Sequence, residues 1–206
     1  MVTDQRVRSE SYGQRKLTRV DRVGRWLSLK KILKLLPKDR AFEALDCGCG
    51  FEAYMLVALK PYLKRGLGID LRINPALKSV EGLEFIEVAL EETLPALLSQ
   101  SFDVIFVVSV LEHLAAPQEM LNHCYRLLRS GGSLFVNVPT WRGKRYLELS
   151  AFRLGFSPVY EMDDHKMYYD KRDLWPILVK SGFKPSRIKL SYYKFGLNLF
   201  SVCRKE

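Results

Sequence analysis

Asp46-Cys47-Gly48-Cys49-Gly50-Phe51-Glu52-Ala53 decides the fold. It joins an apolar run, Ala41–Cys47, to a mostly apolar helical stretch, Phe51–Leu63. Two glycines one residue apart let a backbone turn sharply and approach a ligand closely. A helix starting there offers N–H groups without intrahelical partners. Outward from this turn, strands and helices alternate. Gly66–Asp70 is a second strand, Asn74–Val80 a short helix and Leu83–Val88 a third strand. Phe102–Val108 (FDVIFVV) is a continuous apolar run, as expected of a strand buried on both faces. Ala116–Arg129 is an amphipathic helix stopped at Ser130-Gly131-Gly132, and Ser133–Val138 is a fifth strand ended by Pro139. This order predicts an α/β fold, a mostly parallel Rossmann-like sheet with helices on both faces.

Beyond Pro139 the rhythm breaks. Residues 140–169 are rich in aromatic and charged side chains without a clear period. Asp170 caps a helix through Lys180, closed by Gly182 and kinked at Pro176. Phe183–Leu190 and Leu197–Cys203 read as two last strands, close enough to pair antiparallel.

The 206 residues carry a net charge of +10, with 48% hydrophobic, 27% charged and 12% aromatic residues. That composition excludes wholesale disorder, and no apolar run approaches the ~18 residues of a membrane span. No secretory leader is evident, and four cysteines in a chain this size point to a reduced, cytoplasmic setting. The charge is uneven. Residues 1–40 hold 12 Lys/Arg against 4 Asp/Glu, while the rest hold 21 against 19. We therefore divide the chain into a basic helical arm, 1–40, and a main domain, 41–206, carrying a lid or substrate insertion at about 140–169. In the arm Trp26, Leu29, Leu33 and Leu36 form a helical stripe ended by Pro37, with Lys30, Lys31 and Lys34 largely between them. Such a helix can lie on an acidic membrane surface; packing on its own domain is the expectation.

Asp70 ends the second strand, 24 residues after Asp46. A carboxylate there can accept from both ribose hydroxyls of a nucleotide. Gly48-x-Gly50-x-x-Ala53 also satisfies the dinucleotide fingerprint. Two features count against a nicotinamide cofactor. Asp46 puts negative charge where a pyrophosphate would dock, and suits an ammonium or sulfonium instead. About 65 residues follow the fifth strand, few for a substrate domain.

The sequence resembles the class I S-adenosylmethionine-dependent methyltransferases from about Phe42 to Pro139. LDCGCG at Leu45–Gly50, GID at Gly68–Asp70, FDVI at Phe102–Ile105, VLEHL at Val110–Leu114 and RLLRSGGSLFVNVP at Arg126–Pro139 occur in the family's order and at its intervals. The resemblance implies a seven-stranded sheet whose last strand is antiparallel. The cofactor it implies is S-adenosylmethionine, leaving as S-adenosylhomocysteine. Asp46, Gly48, Cys49 and Gly50 would surround the methionine part. Asp70 would hold the ribose, Leu71 would lie beside the adenine, and Val108 and Ser109 would line the floor near the sulfonium. Family members often place an acidic residue just after the third strand. Here Ala89 stands there, with Leu90 next. Adenine is then held by backbone groups and apolar contact with Leu90, or by Glu91 or Glu92 in a shifted register.

Methyl transfer is an in-line displacement, and an oxygen acceptor of high pKa needs a base. His113, after the fourth strand, and His165, in the insertion, are the candidates. Each has a bland alternative, as a loop tie at a helix start and as a structural tie for the lid. A metal held by Asp163, Asp164 and His165 lacks a distant fourth ligand, and none is expected. Trp141, Arg142, Tyr146 and Tyr168 in the insertion, with Tyr12 and Arg19 in the arm, form the expected acceptor site, aromatics and cations together suiting an anionic or glycosylated metabolite. The sequence predicts a methyltransferase acting on a small molecule, oxygen being the default acceptor. Two alternatives stay open: an RNA methyltransferase using the arm for phosphates, and a catalytically inactive binding subunit of the same fold. The oligomeric state stays open too.

Overall fold

The computed structural model describes residues 11–14, 17–146 and 166–206. Seven strands form one sheet: β1 (Phe42–Cys47), β2 (Leu63–Asp70), β3 (Leu83–Glu87), β4 (Phe102–Val108), β5 (Leu128–Pro139), β6 (Ile188–Tyr193) and β7 (Asn198–Arg204). Their spatial order is β3-β2-β1-β4-β5-β7-β6. The first five strands run parallel, and β7 pairs antiparallel with both β5 and β6. This is the architecture the sequence predicts. The strand order reverses at β1 and β4, where open parallel sheets leave a crevice at their carboxyl ends. The turn after β1 opens into it.

Period-two alternation sends successive side chains to opposite faces. Along β4, Ile105 and Val107 join a cluster with α4 (Pro117–Leu127) and α5 (Lys171–Lys180), through Leu121, Cys124, Leu174 and Leu178. Val104 and Phe106 join the other face, with Phe135 and Phe200, against α1 (Arg19–Leu33) and α2 (Tyr54–Leu59). The arm's helix therefore packs on the sheet. Its buried stripe differs from the expected one. Ile32 is fully buried and Leu29, Leu33 and Leu36 pack around it, whereas Trp26 is half exposed under Lys30. Lys31 lies 4.5 Å over the rings of Tyr193 and Phe200 and donates to Ser191 Oγ.

Other boundaries shift as well. The first helix is short: Ala53 is left-handed at φ 40°, α2 starts only at Tyr54, and Leu63 already belongs to β2. The helix before β5 ends at Leu127, so Ser130-Gly131-Gly132 is not its stop. These residues form an irregularity within β5, where the β4 register slips between Phe102 and Val104. The carbonyls at the end of α4 are instead tied by Lys205, whose Nζ donates to Tyr125 O at 2.7 Å and Leu128 O at 2.8 Å. Asp170 caps α5 with a reciprocal bond pair to Asp173, as its sequence predicts.

Candidate functional site

The turn after β1 is held by its own backbone and by β2. Gly48 N–H and Cys49 N–H both donate to Ile69 O, at 2.8 and 3.2 Å. Gly50 N–H donates to Asp70 Oδ2 at 2.7 Å. Phe51 N–H donates to Tyr12 O at 2.8 Å. The N–H groups expected to stand open toward a ligand are thus largely bonded within the protein. Gly48 has φ +73°, and a Cβ there would lie 2.5 Å from Val110 Cγ2. Gly50 has φ +75°, with Tyr12 O 2.9 Å from where its Cβ would be. Both glycines are required by backbone conformation and by close neighbours.

Asp70 is the hub. Its Oδ1 accepts from Leu71 N–H at 2.8 Å and from the Ser11 hydroxyl, which in turn accepts from Arg72 N–H at 2.7 Å. Ser11 is buried there, and nothing in the polar arm sequence signals it. Asp46 is 3% exposed, and burial, then the Asp70 charge, raises its carboxyl to about 8. A cationic neighbour would favour its ionised form. This donor set fits a nucleoside with a positively charged end. The Cys49 side chain turns the other way, packing with Ala53 and Ile73, and burial pushes its thiol well up. It also explains Gly68, where a Cβ would meet Cys49 Sγ and Phe85 below 3.0 Å.

After β3, Ala89 caps a single helical turn, α3 (Leu90–Thr93). Leu90 is buried, while Glu91 and Glu92 are exposed. After β4, Val108 is half-buried and Ser109 is exposed at φ +57°, its N–H bonded to Asn137 O at 2.8 Å. His113 closes the 3-10 turn Leu111–His113 and is half-buried. Glu112 beside it is buried, and its carbonyl accepts from Lys166 and Met167 N–H. Tyr169 OH donates to Leu111 O, and its phenol is pushed up to about 12 by burial, then by the Glu112 and Asp173 charges. Residues 166–169 are thereby strapped to the loop after β4.

That strap carries Tyr168 against Trp141, ring centroids 5.6 Å apart. Arg142 lies 3.5 Å from where a Cβ on Gly196 would be, beside the β6–β7 turn. Tyr146 is half exposed, Tyr12 is 40% exposed, and Arg19 is exposed at the start of α1. The structure thus gathers Trp141, Arg142 and Tyr168 at one end of the sheet and Tyr12 at the glycine turn, and leaves Arg19 and Tyr146 toward solvent. His165, with Asp163 and Asp164, lies outside the described residues. The β6–β7 turn also presents Lys194, which the sequence reading missed; Gly196 was the signal for a tight hairpin there. A separate groove of about 480 Å³, lined by Arg65, Lys78, Glu84 and Phe85 among others, lies along β2 and β3 and includes none of the turn residues.

Residues 45–136 match the family described as a methyltransferase domain. That segment, just under half of the chain, carries the resemblance to the class I S-adenosylmethionine-dependent methyltransferases. Among curated proteins it is 31% identical to a tRNA U34 carboxymethyltransferase of Desulfotalea psychrophila over 121 residues, 55% of this chain and 37% of that protein. It is 28% identical to a ubiquinone biosynthesis O-methyltransferase of Salmonella typhimurium over 115 residues, 51% of this chain and 46% of that one. The matches thus span less than half of these relatives. The fold matches the methyltransferase of the Haloferax volcanii Trm112 activator complex, with a TM-score of 0.70 at 16% identity, covering 87% of this chain and 89% of that one. An S-adenosylmethionine-dependent methyltransferase of Archaeoglobus fulgidus gives a TM-score of 0.66 at 18% identity, covering 88% and 94%. The antiparallel last strand that the resemblance implied is present, and it lies between β5 and β6.

Proposed function

We propose that the protein moves a methyl group from S-adenosylmethionine to a small-molecule acceptor, an oxygen nucleophile by default, in the cytoplasm. The observation carrying this reading is the pair of acids around the glycine turn: Asp70, bonded to Gly50 N–H, and the buried Asp46. The cofactor supplies an electrophilic methyl on a sulfonium. The chain's own residues bind and orient. Asp70 accepts from the ribose hydroxyls, with Leu71, Ala89 and Leu90 on the adenine side. Asp46 faces the cationic methionine end, with the Gly48–Gly50 backbone beside it. Val108 and Ser109 form the floor next to the sulfonium. On the acceptor side Trp141, Arg142 and Tyr168 bind the substrate, with Tyr12, Arg19 and Tyr146 contributing. His113 takes the acceptor's proton, a role His165 shares in this reading.

The dinucleotide reading is disfavoured by Ala53. In that fingerprint the third small residue lies inside the helix, packed on the strand. Here Ala53 is left-handed and precedes a six-residue helix. Calorimetric titration with S-adenosylhomocysteine and, separately, NADH tests this, with Asp70→Ala as control. Micromolar binding of the first alone, weakened at least tenfold by the substitution, is expected. Binding of NADH alone overturns the reading, and binding of neither favours an inactive subunit.

A tRNA acceptor is favoured by one observation, the concentration of 12 Lys/Arg in residues 1–40. Methyl transfer to bulk tRNA at low salt, lost steeply as salt rises, would support it.

A further inference from the structure

Asn137 is fully buried near the carboxyl end of β5, yet among the described residues neither Nδ2 nor Oδ1 has a hydrogen-bond partner. Tyr193 OH is likewise buried, with no partner among the described residues. Buried amides and phenols are nearly always satisfied, and exceptions call for an explanation. The sheet register puts both on one face. Asn137 stands opposite Val108 on β4 and Phe200 on β7, and the Tyr193 and Phe200 ring centroids are 6.1 Å apart. That face is the one covered by α1.

Lys194 follows Tyr193 and reaches back under the same helix. Its Nζ lies 5.6 Å from the Tyr193 ring centroid and 3.5 Å from where a Cβ on Gly24 would be. The turn that aims it is strained. Lys194 and Phe195 take φ +50° and +59° without being glycine, in the left-handed region that costs side-chain-bearing residues. Lys31 lies over the same Tyr193 ring, and Arg25 Nε, one residue beyond Gly24, is buried without an acceptor among the described residues. Against these donors stand the Glu112 carboxylate, which acts on Lys194 through its charge, and Asn137 Oδ1. Burial lowers the Lys194 ammonium to about 8, so a second negative charge would be welcome there.

We propose that Asn137, Tyr193 and Lys194 line a subsite beneath α1 for an anionic group, a carboxylate or phosphate, of a small acceptor. As a subsite for the methyl acceptor it rests on the methyl-transfer reading. It sits at the same carboxyl edge of the sheet as the glycine turn, on the β5 side, and supplies three donors of the kind an anion needs: an amide, a phenol and an ammonium. Arg25 and Lys31 add positive potential from the helix above.

The test follows the Asn137 side-chain NH2 signals by nitrogen-15 NMR in asparagine-labelled full-length protein, assigned by their loss in Asn137→Leu. Benzoate or inorganic phosphate is expected to move the signals saturably, whereas neutral benzamide does not. Lys194→Gln weakens the response at least fivefold and Lys194→Arg retains it. A response to benzamide equal to that to benzoate, no response to either anion, or an undiminished response in Lys194→Gln overturns the subsite. S-adenosylhomocysteine titrated into the same samples reports on the cofactor separately. Its failure to bind would remove the methyl-transfer reading, while the anion response still decides the subsite. Retained cofactor binding in Lys194→Gln shows that the variant is folded.

Discussion

The Ser11 hydroxyl donates to Asp70 Oδ1, and accepts from Arg72 N–H at 2.7 Å. A residue of the N-terminal segment thereby sits on the carboxylate assigned to the ribose. A carboxylate has about four lone-pair sites. Leu71 N–H and the Ser11 hydroxyl take two on Oδ1, and Gly50 N–H takes one on Oδ2. Two ribose hydroxyls need two sites, so one existing bond has to give way. The two N–H donors belong to the backbone of the site's own loops, and the Ser11 hydroxyl is the side chain that can swing aside.

Ser11→Ala is therefore expected to tighten S-adenosylhomocysteine binding about three- to tenfold, the equivalent of one net hydrogen bond of about 0.5–1.5 kcal/mol. Calorimetry of both proteins checks it. A tenfold weakening instead would mean that Ser11 holds Asp70 in its binding orientation rather than competing for it.

Asp46 couples the site to protons. Its carboxyl is raised from 3.8 to about 8 by burial and by the nearby Asp70 charge. Between about pH 4 and pH 8 the folded protein holds a proton that the unfolded chain releases. The sign follows: stability contributed by this group falls as pH rises through that window, at up to about 1.4 kcal/mol per pH unit. Asp46→Asn should flatten the slope in urea unfolding measured from pH 5 to pH 8. A sulfonium and an ammonium favour the ionised carboxyl, so S-adenosylmethionine binding at pH 7 should release close to one proton. Titrations in buffers of different ionisation enthalpy read that number directly; zero in the wild-type protein would separate Asp46 from the cationic end.

The sheet was legible because its strands are written in residues that answer only to burial. Phe102–Val108 is apolar at nearly every position, and both faces of β4 are covered. Asp70 was legible by its distance from the glycines. Ser11 was not, because its partner is 59 residues away and the arm around it has no period. The expected stripe included Trp26, but the helix buries Ile32 and leaves Trp26 half exposed under Lys30. Asn137 carries no signal of its own within Ser133–Val138. Only the register, setting it opposite Val108 and Phe200, shows the amide to be sealed on the α1 face.

Gly48 offers a test of close approach. Alanine there would meet Val110 Cγ2 at 2.5 Å and hold φ +73°. The left-handed backbone costs roughly 1 kcal/mol, and the overlap adds about 1–3 kcal/mol. Gly48→Ala is expected to destabilise by about 2–4 kcal/mol in chemical denaturation. In a Val110→Ala background the same substitution should cost about 1 kcal/mol, a coupling of at least ~1 kcal/mol between the two sites. Additive costs would show that backbone conformation alone demands the glycine.

The orphaned Asn137 amide predicts a trade between stability and use. Its Nδ2 and Oδ1 are buried without partners among the described residues, a desolvation cost of about 1–3 kcal/mol that leucine, branched at the same carbon, does not bear. Asn137→Leu should raise the melting temperature by about 2–12 °C, since 1 kcal/mol moves a domain of this size by roughly 2–4 °C. It should leave S-adenosylhomocysteine affinity within twofold, because the residues proposed for the cofactor, Asp70 and Asp46, are untouched. If the amide is kept for an anionic acceptor, methyl transfer to an acceptor bearing a carboxylate falls at least tenfold in kcat/KM, with the larger part in KM. Differential scanning calorimetry and a transfer assay on the same preparation separate the two effects. A lower melting temperature would mean that the amide is satisfied in solution by water, or that the larger leucine does not fit, and the stability argument would fall with it.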